Sequence, residues 1–217
     1  GISGLFIANL FKRNPNYHIT IYEKNNIIAL EEGYGVQLSV NSIKLLNEIG
    51  FKKLQNDKKF TPKKINFYSN KSSNKICELD VSVFNLEDCK YTTLKRSNLV
   101  KFLKEDLGDL IKTGYNISKI DQQDKKIKLS FENDETKECD YLIVSDGVFS
   151  KSKSLISNNK TKPKYNDTLA IRGIITKPLD NIDNKNISLF LGSDFHHVIY
   201  PVNPSGSLNF IAIMKYQ

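Results

Sequence analysis

The chain opens with Gly1-Ile2-Ser3-Gly4-Leu5-Phe6 and continues, after a turn at 14–16, with His18-Ile19-Thr20-Ile21-Tyr22-Glu23. Apolar residues after Gly4 recur at the three- and four-residue intervals of one helix face, which predicts a helix from Ile2 to Lys12. Pro15 and its two flanking asparagines end that helix. The second stretch predicts a short strand that ends in an acid. A glycine turn, a helix, a strand and a carboxylate therefore follow one another directly.

Gly1 and Gly4 have the spacing of the second and third glycines of the dinucleotide-binding pattern G-x-G-x-x-G, whose first glycine and preceding strand would lie before residue 1. One glycine lets the backbone approach a pyrophosphate, and the next lets helix and strand pack closely. The helix N terminus offers free N–H groups to the phosphates. Glu23 lies 19 residues after Gly4, close to the spacing at which an acid binds the adenosine ribose. Taken singly, the two glycines have the alternative of a helix-capping turn, and Glu23 has the alternative of a solvated acid at the end of a strand.

The remaining sequence mixes helical and alternating patterns without an internal repeat. The near-continuous apolar run Cys139–Val144 predicts a strand buried on both faces of a parallel sheet and ended by Asp146-Gly147. The two alternating segments before it resemble a hairpin. Further helices are predicted at 43–49 and 97–110, and further strands at 63–94, 115–120, 125–131, 170–176, 187–191, 197–202 and 208–214.

Composition excludes several classes of protein. The net charge of +8 comes from 32 basic and 24 acidic residues, and the scattered lysines indicate solvated faces. The most basic stretch, 151–164, lacks the interleaved aromatic residues of a single-strand nucleic-acid platform, so no nucleic-acid partner is predicted. Cys77, Cys89 and Cys139 form no metal-ligand pattern or disulfide framework, which favours a reducing, cytoplasmic setting and no metal site. No apolar run reaches the length of a transmembrane segment.

Several segments together resemble the flavoprotein aromatic-ring hydroxylases, a family of FAD-dependent monooxygenases that includes salicylate-hydroxylase-like and ubiquinone-biosynthesis-hydroxylase-like members. Residues 1–5 followed by Ile-Tyr-Glu-Lys at 21–24 are similar to its N-terminal FAD-binding region. Gly35–Leu38 with Asn41 resembles the family's loop and helix start, although Val40 replaces the usual Pro, and Leu94–Leu99 resembles its Arg-x-x-Leu motif. Tyr141–Ser150 resembles its Asp-Gly motif, which here continues with Lys153 in place of Arg. The segments Arg172-Gly173, 197–202 and 208–212 resemble its substrate-side sheet.

This resemblance implies a set of FAD contacts and no catalytic side chain, because the cofactor carries the chemistry. Asp146 would lie at the C-terminal end of its strand, where α/β sheets bind ligands, and Gly147 permits a turn with positive φ. An Asp-Gly turn without a ligand is the alternative. His196 and His197 are adjacent on a predicted strand, so they point to opposite faces and do not act together. The implied contacts are Gly1, Gly4, Glu23, Lys24, Arg96, Asp146 and Gly147.

The implied fold is α/β, with a Rossmann-like FAD-binding part at 1–60 and 92–158 interleaved with a mostly antiparallel, β-rich substrate-side part at 61–91 and 159–217. The resemblance covers about the first half of a family member, so the chain is expected to be truncated at both ends. The implied activity is NAD(P)H-dependent hydroxylation of a small aromatic or related ring with O₂. The alternatives are a flavoprotein of the same fold with reductase, epoxidase or halogenase activity, and a non-catalytic nucleotide-binding remnant.

Overall fold

The computed structural model describes residues 1–28, 34–157 and 163–216. The chain divides into two compact units: unit 1 comprises 1–30 and 103–164, and unit 2 comprises 31–102 and 165–217. The expected assignment of an FAD-binding part and a substrate-side part stays a prediction, since compactness does not report which ligand a unit binds. Gly33, part of the predicted glycine loop, lies outside the described residues.

Helices and strands alternate along the first half of the chain, and the second half is mainly β. The helices are α1 Ile2–Lys12, α2 Val40–Asn47, α3 Arg96–Lys104 and α4 Lys151–Ser157. The strands are β1 Ile21–Glu23, β2 Gly35–Leu38, β3 Lys59–Phe60, β4 Lys64–Ser69, β5 Lys75–Asp80, β6 Thr92–Lys95, β7 Ile111–Thr113, β8 Ile117–Gln123, β9 Lys126–Phe131, β10 Thr136–Cys139, β11 Thr168–Ile175, β12 Ile187–Leu191, β13 Phe195–Pro201 and β14 Leu208–Lys215.

In unit 1 the predicted helix α1 is confirmed with the predicted bounds. It buries Leu5 and Ala8, and the Asn9 side-chain amide donates to the Leu5 carbonyl at 2.9 Å and to the Leu103 carbonyl at 2.7 Å. Strand β1 pairs in parallel with β7 and begins at Ile21, later than predicted. Its partner β7 is only three residues long, so the ladder has no room to extend toward His18.

The predicted hairpin of unit 1 is also confirmed. β8, β9 and β10 form an antiparallel three-stranded sheet in that order. Tyr22, Tyr115 and Phe131 form an aromatic cluster, with ring centroids 4.8 to 5.1 Å apart. Rings in such tilted and edge-to-face arrangements stabilise one another beyond their burial.

The predicted buried strand at 139–144 is wrong. The chain pairs with β9 only as far as Cys139, and residues 141–144 belong to no strand. Tyr141 is 86% exposed and Ile143 is 48% exposed. The apolar run has the composition of a central strand, but no described strand lies beside it, and a strand is buried only when it has neighbours.

Unit 2 contains a six-stranded sheet of order β11-β14-β13-β12-β4-β5. Only the pair β12–β4 is parallel, which confirms the expected mostly antiparallel sheet. A smaller antiparallel sheet has the order β2-β6-β3. Ile187, Tyr200 and Val202 form a buried core on the large sheet.

Two boundaries differ from prediction for local physical reasons. The helix predicted to reach Leu110 is α-helical only to Lys104 and continues as a 3₁₀ segment. Glu105 and Asp106 would place negative charge at the C-terminal end of its macrodipole, and Gly108 weakens a longer helix. The predicted strand containing Val81 ends at Asp80, whose Oδ1 accepts from the Ser82 N–H at 2.8 Å and so starts a turn.

Candidate functional site

The N terminus of α1 lies beside Glu23. The Glu23 Oε2 lies 3.9 Å from the Gly1 nitrogen, and its side chain is 22% exposed. A Cβ added at Gly1 would meet no atom within 4 Å, and one added at Gly4 would meet only ordinary contact with Ser145 at 3.5 Å. Packing among the described residues therefore does not require glycine at either position, and space is left beside the helix N terminus.

The loop after β1 is held in place by the loop after β7. Glu23 Oε1 accepts from the Asn25 N–H at 3.1 Å, and the Glu23 carbonyl accepts from the Tyr115 N–H at 3.0 Å. Gly114 has φ +77° and donates its N–H to the Asn25 carbonyl. Lys24 is exposed in this loop. The acid at the end of β1 is thus fixed by backbone contacts on both sides.

Asp146 and Gly147 form a turn that leads into α4. The Asp146 Oδ2 accepts from the Ser152 N–H at 3.0 Å, and Gly147 has the predicted positive φ, +84°. Burial pushes the pKa of Asp146 upward, but hydrogen bonds from Ser150 and Ser152 outweigh it and hold that pKa below its ordinary value. The carboxylate therefore stabilises the start of α4, a role that needs no ligand and agrees with the alternative given for this turn.

We expect the Asp146→Asn variant to lose stability at neutral pH but not in strong acid. Because the folded-state pKa is depressed, the carboxylate stabilises the protein above its unfolded pKa of about 4, and this contribution disappears as the pH falls through the folded-state pKa. The difference in free energy of unfolding between parent and variant, measured in urea at several pH values, should shrink below about pH 4. Asp109→Asn, at an exposed position of unit 1, is the control. A pH-independent difference would contradict the role of Asp146.

Arg96 lies in unit 2, where it begins α3. Its backbone N–H donates to the Tyr34 carbonyl at 2.8 Å, which joins the start of the helix to the residue before β2. Asn98 of the same helix donates its side-chain amide to the Lys58 carbonyl at 3.0 Å. The predicted contact of the Arg96 guanidinium with FAD stays a prediction.

Sequence reasoning missed a polar group on the large sheet of unit 2, which we name the tyrosine cluster: Gln37, Tyr91 and Tyr200. The Tyr91 hydroxyl donates to Gln37 Oε1 at 2.8 Å. Burial raises the pKa of Tyr200 to about 12, although the charge of Arg172 and a hydrogen bond with Gln37 oppose that rise. The alternation of polar and apolar residues in 197–202 predicts which side chains share a face of the strand. It does not predict that β2 places Gln37 beside Tyr200.

The pair His196-His197 lies on β13, as expected for residues that point to opposite faces. The His197 ring stacks on Phe190, with centroids 4.5 Å apart and planes 10° apart. Burial first, and then the neighbouring His196, lower the pKa of His197. His197 is therefore part of an aromatic row, which favours a structural role.

Solved structures with this fold identify the architecture. HpxO of Klebsiella pneumoniae, complexed with FAD and uric acid, superposes with a TM-score of 0.87 at 16% identity over 100% of this chain and 55% of that one. The 2,6-dihydroxypyridine-3-hydroxylase of Arthrobacter nicotinovorans gives 0.81 at 17% identity over 99% and 54%. The fold is that of the FAD-dependent aromatic hydroxylases. The resemblance predicted from the sequence is confirmed at this level.

A sequence relative agrees with this hydroxylase fold. The FAD-dependent monooxygenase pigN of Monascus ruber is 28% identical over 242 positions, which span 99% of this chain and 52% of the relative. The chain therefore spans about half the length of the relative that it matches. No protein-family model matches the chain. Among the described helices, none has both the length and the apolar character needed to cross a membrane.

Proposed function

We propose that unit 1 binds the adenosine and pyrophosphate part of FAD at the N terminus of α1, and that the whole protein is an FAD-dependent monooxygenase. One observation carries the proposal: the glycine turn and the Glu23 carboxylate, 19 residues apart in sequence, meet in space at 3.9 Å. This is the arrangement in which helix N–H groups receive phosphates and an acid receives the ribose hydroxyls.

The residues present fit such a ligand. A Cβ at Gly1 would meet no atom within 4 Å, so the chain leaves room beside this residue for a phosphate to approach the backbone N–H groups. Glu23 is held by the Asn25 and Tyr115 N–H groups, which keeps its carboxylate at the end of β1. Lys24 and Gly147 are both exposed in unit 1, and contacts of Lys24, Asp146 and Gly147 with FAD are part of the proposal.

The substrate is proposed to be a small aromatic or related ring, hydroxylated with O₂ while NAD(P)H supplies electrons. The bound flavin would supply the oxygen-transfer chemistry, and the protein would position the ring and exclude water. The neighbours support this class, since one is a complex with uric acid and another is a dihydroxypyridine hydroxylase. Consumption of NADH or NADPH that depends on an added hydroxybenzoate or heteroaromatic ring would test it.

We expect Glu23→Gln to weaken FAD binding about tenfold, because it replaces a charge-assisted hydrogen bond to the ribose by a neutral one, a loss of roughly 1.4 kcal/mol. The complete reading frame should be purified, stripped of flavin and titrated with FAD, with quenching of flavin fluorescence as the readout. Glu138→Gln, the same change at an exposed position of β10 in unit 1, is the matched control. A protein that ignores FAD, or equal affinity in the parent and Glu23→Gln, would reject the FAD site.

A further inference from the structure

Strand β1 carries two neighbouring side chains with different surroundings. Adjacent residues of a strand point to opposite sides. The Glu23 carboxylate lies 3.9 Å from the Gly1 nitrogen, whereas the Tyr22 ring joins the aromatic cluster with Tyr115 and Phe131. The direction of the carboxylate is therefore coupled to the position of the Tyr22 ring, because both side chains leave the same short stretch of backbone.

Tyr115 is a member of this cluster that contacts β1 in two ways. Its backbone N–H donates to the Glu23 carbonyl at 3.0 Å, and its ring centroid lies 5.1 Å from that of Tyr22. The residue belongs to the connection between β7 and β8, and its ring also meets Phe131 of β9 edge to face. Tyr115 therefore contacts both the parallel pair β1–β7 and the three-stranded sheet of unit 1.

The far end of the Tyr115 side chain is held by the turn between β9 and β10. Its hydroxyl donates to Glu135 Oε1 at 2.8 Å, and the Lys137 ammonium lies 2.9 Å from Glu135 Oε2. The Glu135 carbonyl accepts from the Phe131 N–H at 3.0 Å, which fixes this turn to β9. The hydroxyl, the ring and the backbone N–H of Tyr115 thus connect a hydrogen-bonded turn to the residue that carries the carboxylate.

The position of Glu23 matters because a hydrogen bond weakens steeply when its distance or angle departs from the optimum. A carboxylate that is held in place before a ligand arrives also avoids the cost of being ordered on binding. Strand β1 is three residues long and pairs only with β7 among the described strands, so its own ladder gives Glu23 little support. The contacts of Tyr115 supply the support that this ladder lacks.

We propose that Tyr115 is a positioning residue, which holds Glu23 in the orientation that receives the hydroxyls of an adenosine ribose. This assignment rests on the proposed function, in which Glu23 is the acid that binds the ribose. Tyr115 acts through Glu23 rather than on the ligand itself. Its replacement should therefore lower the preference for a ribose with hydroxyl groups, and not the affinity for every nucleotide equally.

The test measures that preference on the complete protein. ADP and dideoxy-ADP, which lacks both ribose hydroxyls, are titrated by calorimetry into the parent protein, Tyr115→Leu, Tyr115→Phe and Glu23→Gln. Tyr17→Leu makes the same change in unit 1, at an exposed position after α1, and is the matched control. FAD affinity is measured on every variant by quenching of flavin fluorescence, and circular dichroism verifies that each variant is folded.

The parent protein is expected to bind ADP about tenfold more tightly than dideoxy-ADP. Tyr115→Leu should reduce this preference to about twofold, and Tyr115→Phe, which loses only the bond to Glu135, should reduce it to about fivefold. Tyr17→Leu should leave it unchanged. When Tyr115→Leu is combined with Glu23→Gln, the further loss should be less than about twofold, because both changes act on one interaction.

An undiminished preference in Tyr115→Leu, or losses in the two single variants that simply add, overturns the proposal and leaves the proposed FAD site unaffected. Equal weakening of both nucleotides also overturns it, because a general loss of packing would act in this way. Where Tyr115→Leu does not fold, the smaller loss in Tyr115→Phe decides the question. A parent protein that binds neither FAD nor ADP rejects the proposed function, and the role of Tyr115 with it.

Discussion

Replacement of Gly35 by alanine is expected to lower the free energy of unfolding by about 3 kcal/mol, at the upper end of the usual cost of overpacking. A Cβ at this position would lie 2.7 Å from the Asn209 Cβ and 2.8 Å from Cε2 of the Tyr200 ring. Both neighbours are almost fully buried, so neither can move aside cheaply. The hydrogen bond from the Gly35 N–H to Asn209 would be strained by the same shift. Urea unfolding followed by circular dichroism measures the loss.

The matched control is Gly173→Ala on β11, also in unit 2. A Cβ there meets nothing within 4 Å, so this variant should be as stable as the parent or slightly more stable. If both alanine variants unfold at the same urea concentration, the close approach of β2 to the sheet does not exist in solution.

Phe51→Ala is expected to cost about 4 kcal/mol of stability, the middle of the range for removing a buried phenylalanine. Phe51 is 2% exposed, and its ring meets that of Phe102 edge to face, with centroids 5.4 Å apart. The Lys59 ammonium lies 5.4 Å from the same ring centroid. The variant therefore loses burial, an aromatic pair and a cation–π contact together.

Phe84→Ala is the control for this variant, since Phe84 is 58% exposed in the same unit. Its midpoint in a urea titration should stay close to that of the parent, while the midpoint of Phe51→Ala should fall well below it. Comparable losses in the two variants would mean that the segment around Phe51 is not packed as described. Phe51→Leu, which keeps much of the apolar volume, should recover part of the stability.

Local patterns were sufficient for those elements of the fold whose partners lie nearby in sequence. The three- and four-residue spacing in 2–12 gave helix α1 with its bounds, and alternation around 125 gave the β8–β9 hairpin. Cys139–Val144 was misjudged because its apolar composition specifies a preference for burial but not the strands that would provide it. The helix predicted at 97–110 extends further than α3 does. Glu105 and Asp106 oppose the helix macrodipole and Gly108 weakens a longer helix, and the spacing of apolar side chains reveals neither effect.

The residues of the candidate sites also differ in whether their partners lie nearby or far away in sequence. The proximity of Gly1 and Glu23 was predictable because it depends on a single connection, from helix α1 to strand β1, within one short stretch of sequence. The tyrosine cluster was not, since Gln37, Tyr91 and Tyr200 come from three distant segments that only the strand register brings together.

The uncovered segment 141–144 also bears on how the protein behaves at high concentration. Its sequence, Tyr-Leu-Ile-Val, has high β-propensity, no charge and no proline, and it belongs to no strand. The net charge of +8 repels other copies at long range, but at physiological ionic strength that repulsion is screened beyond about 8 Å. Once two molecules touch, their segments can pair edge to edge and nucleate aggregates.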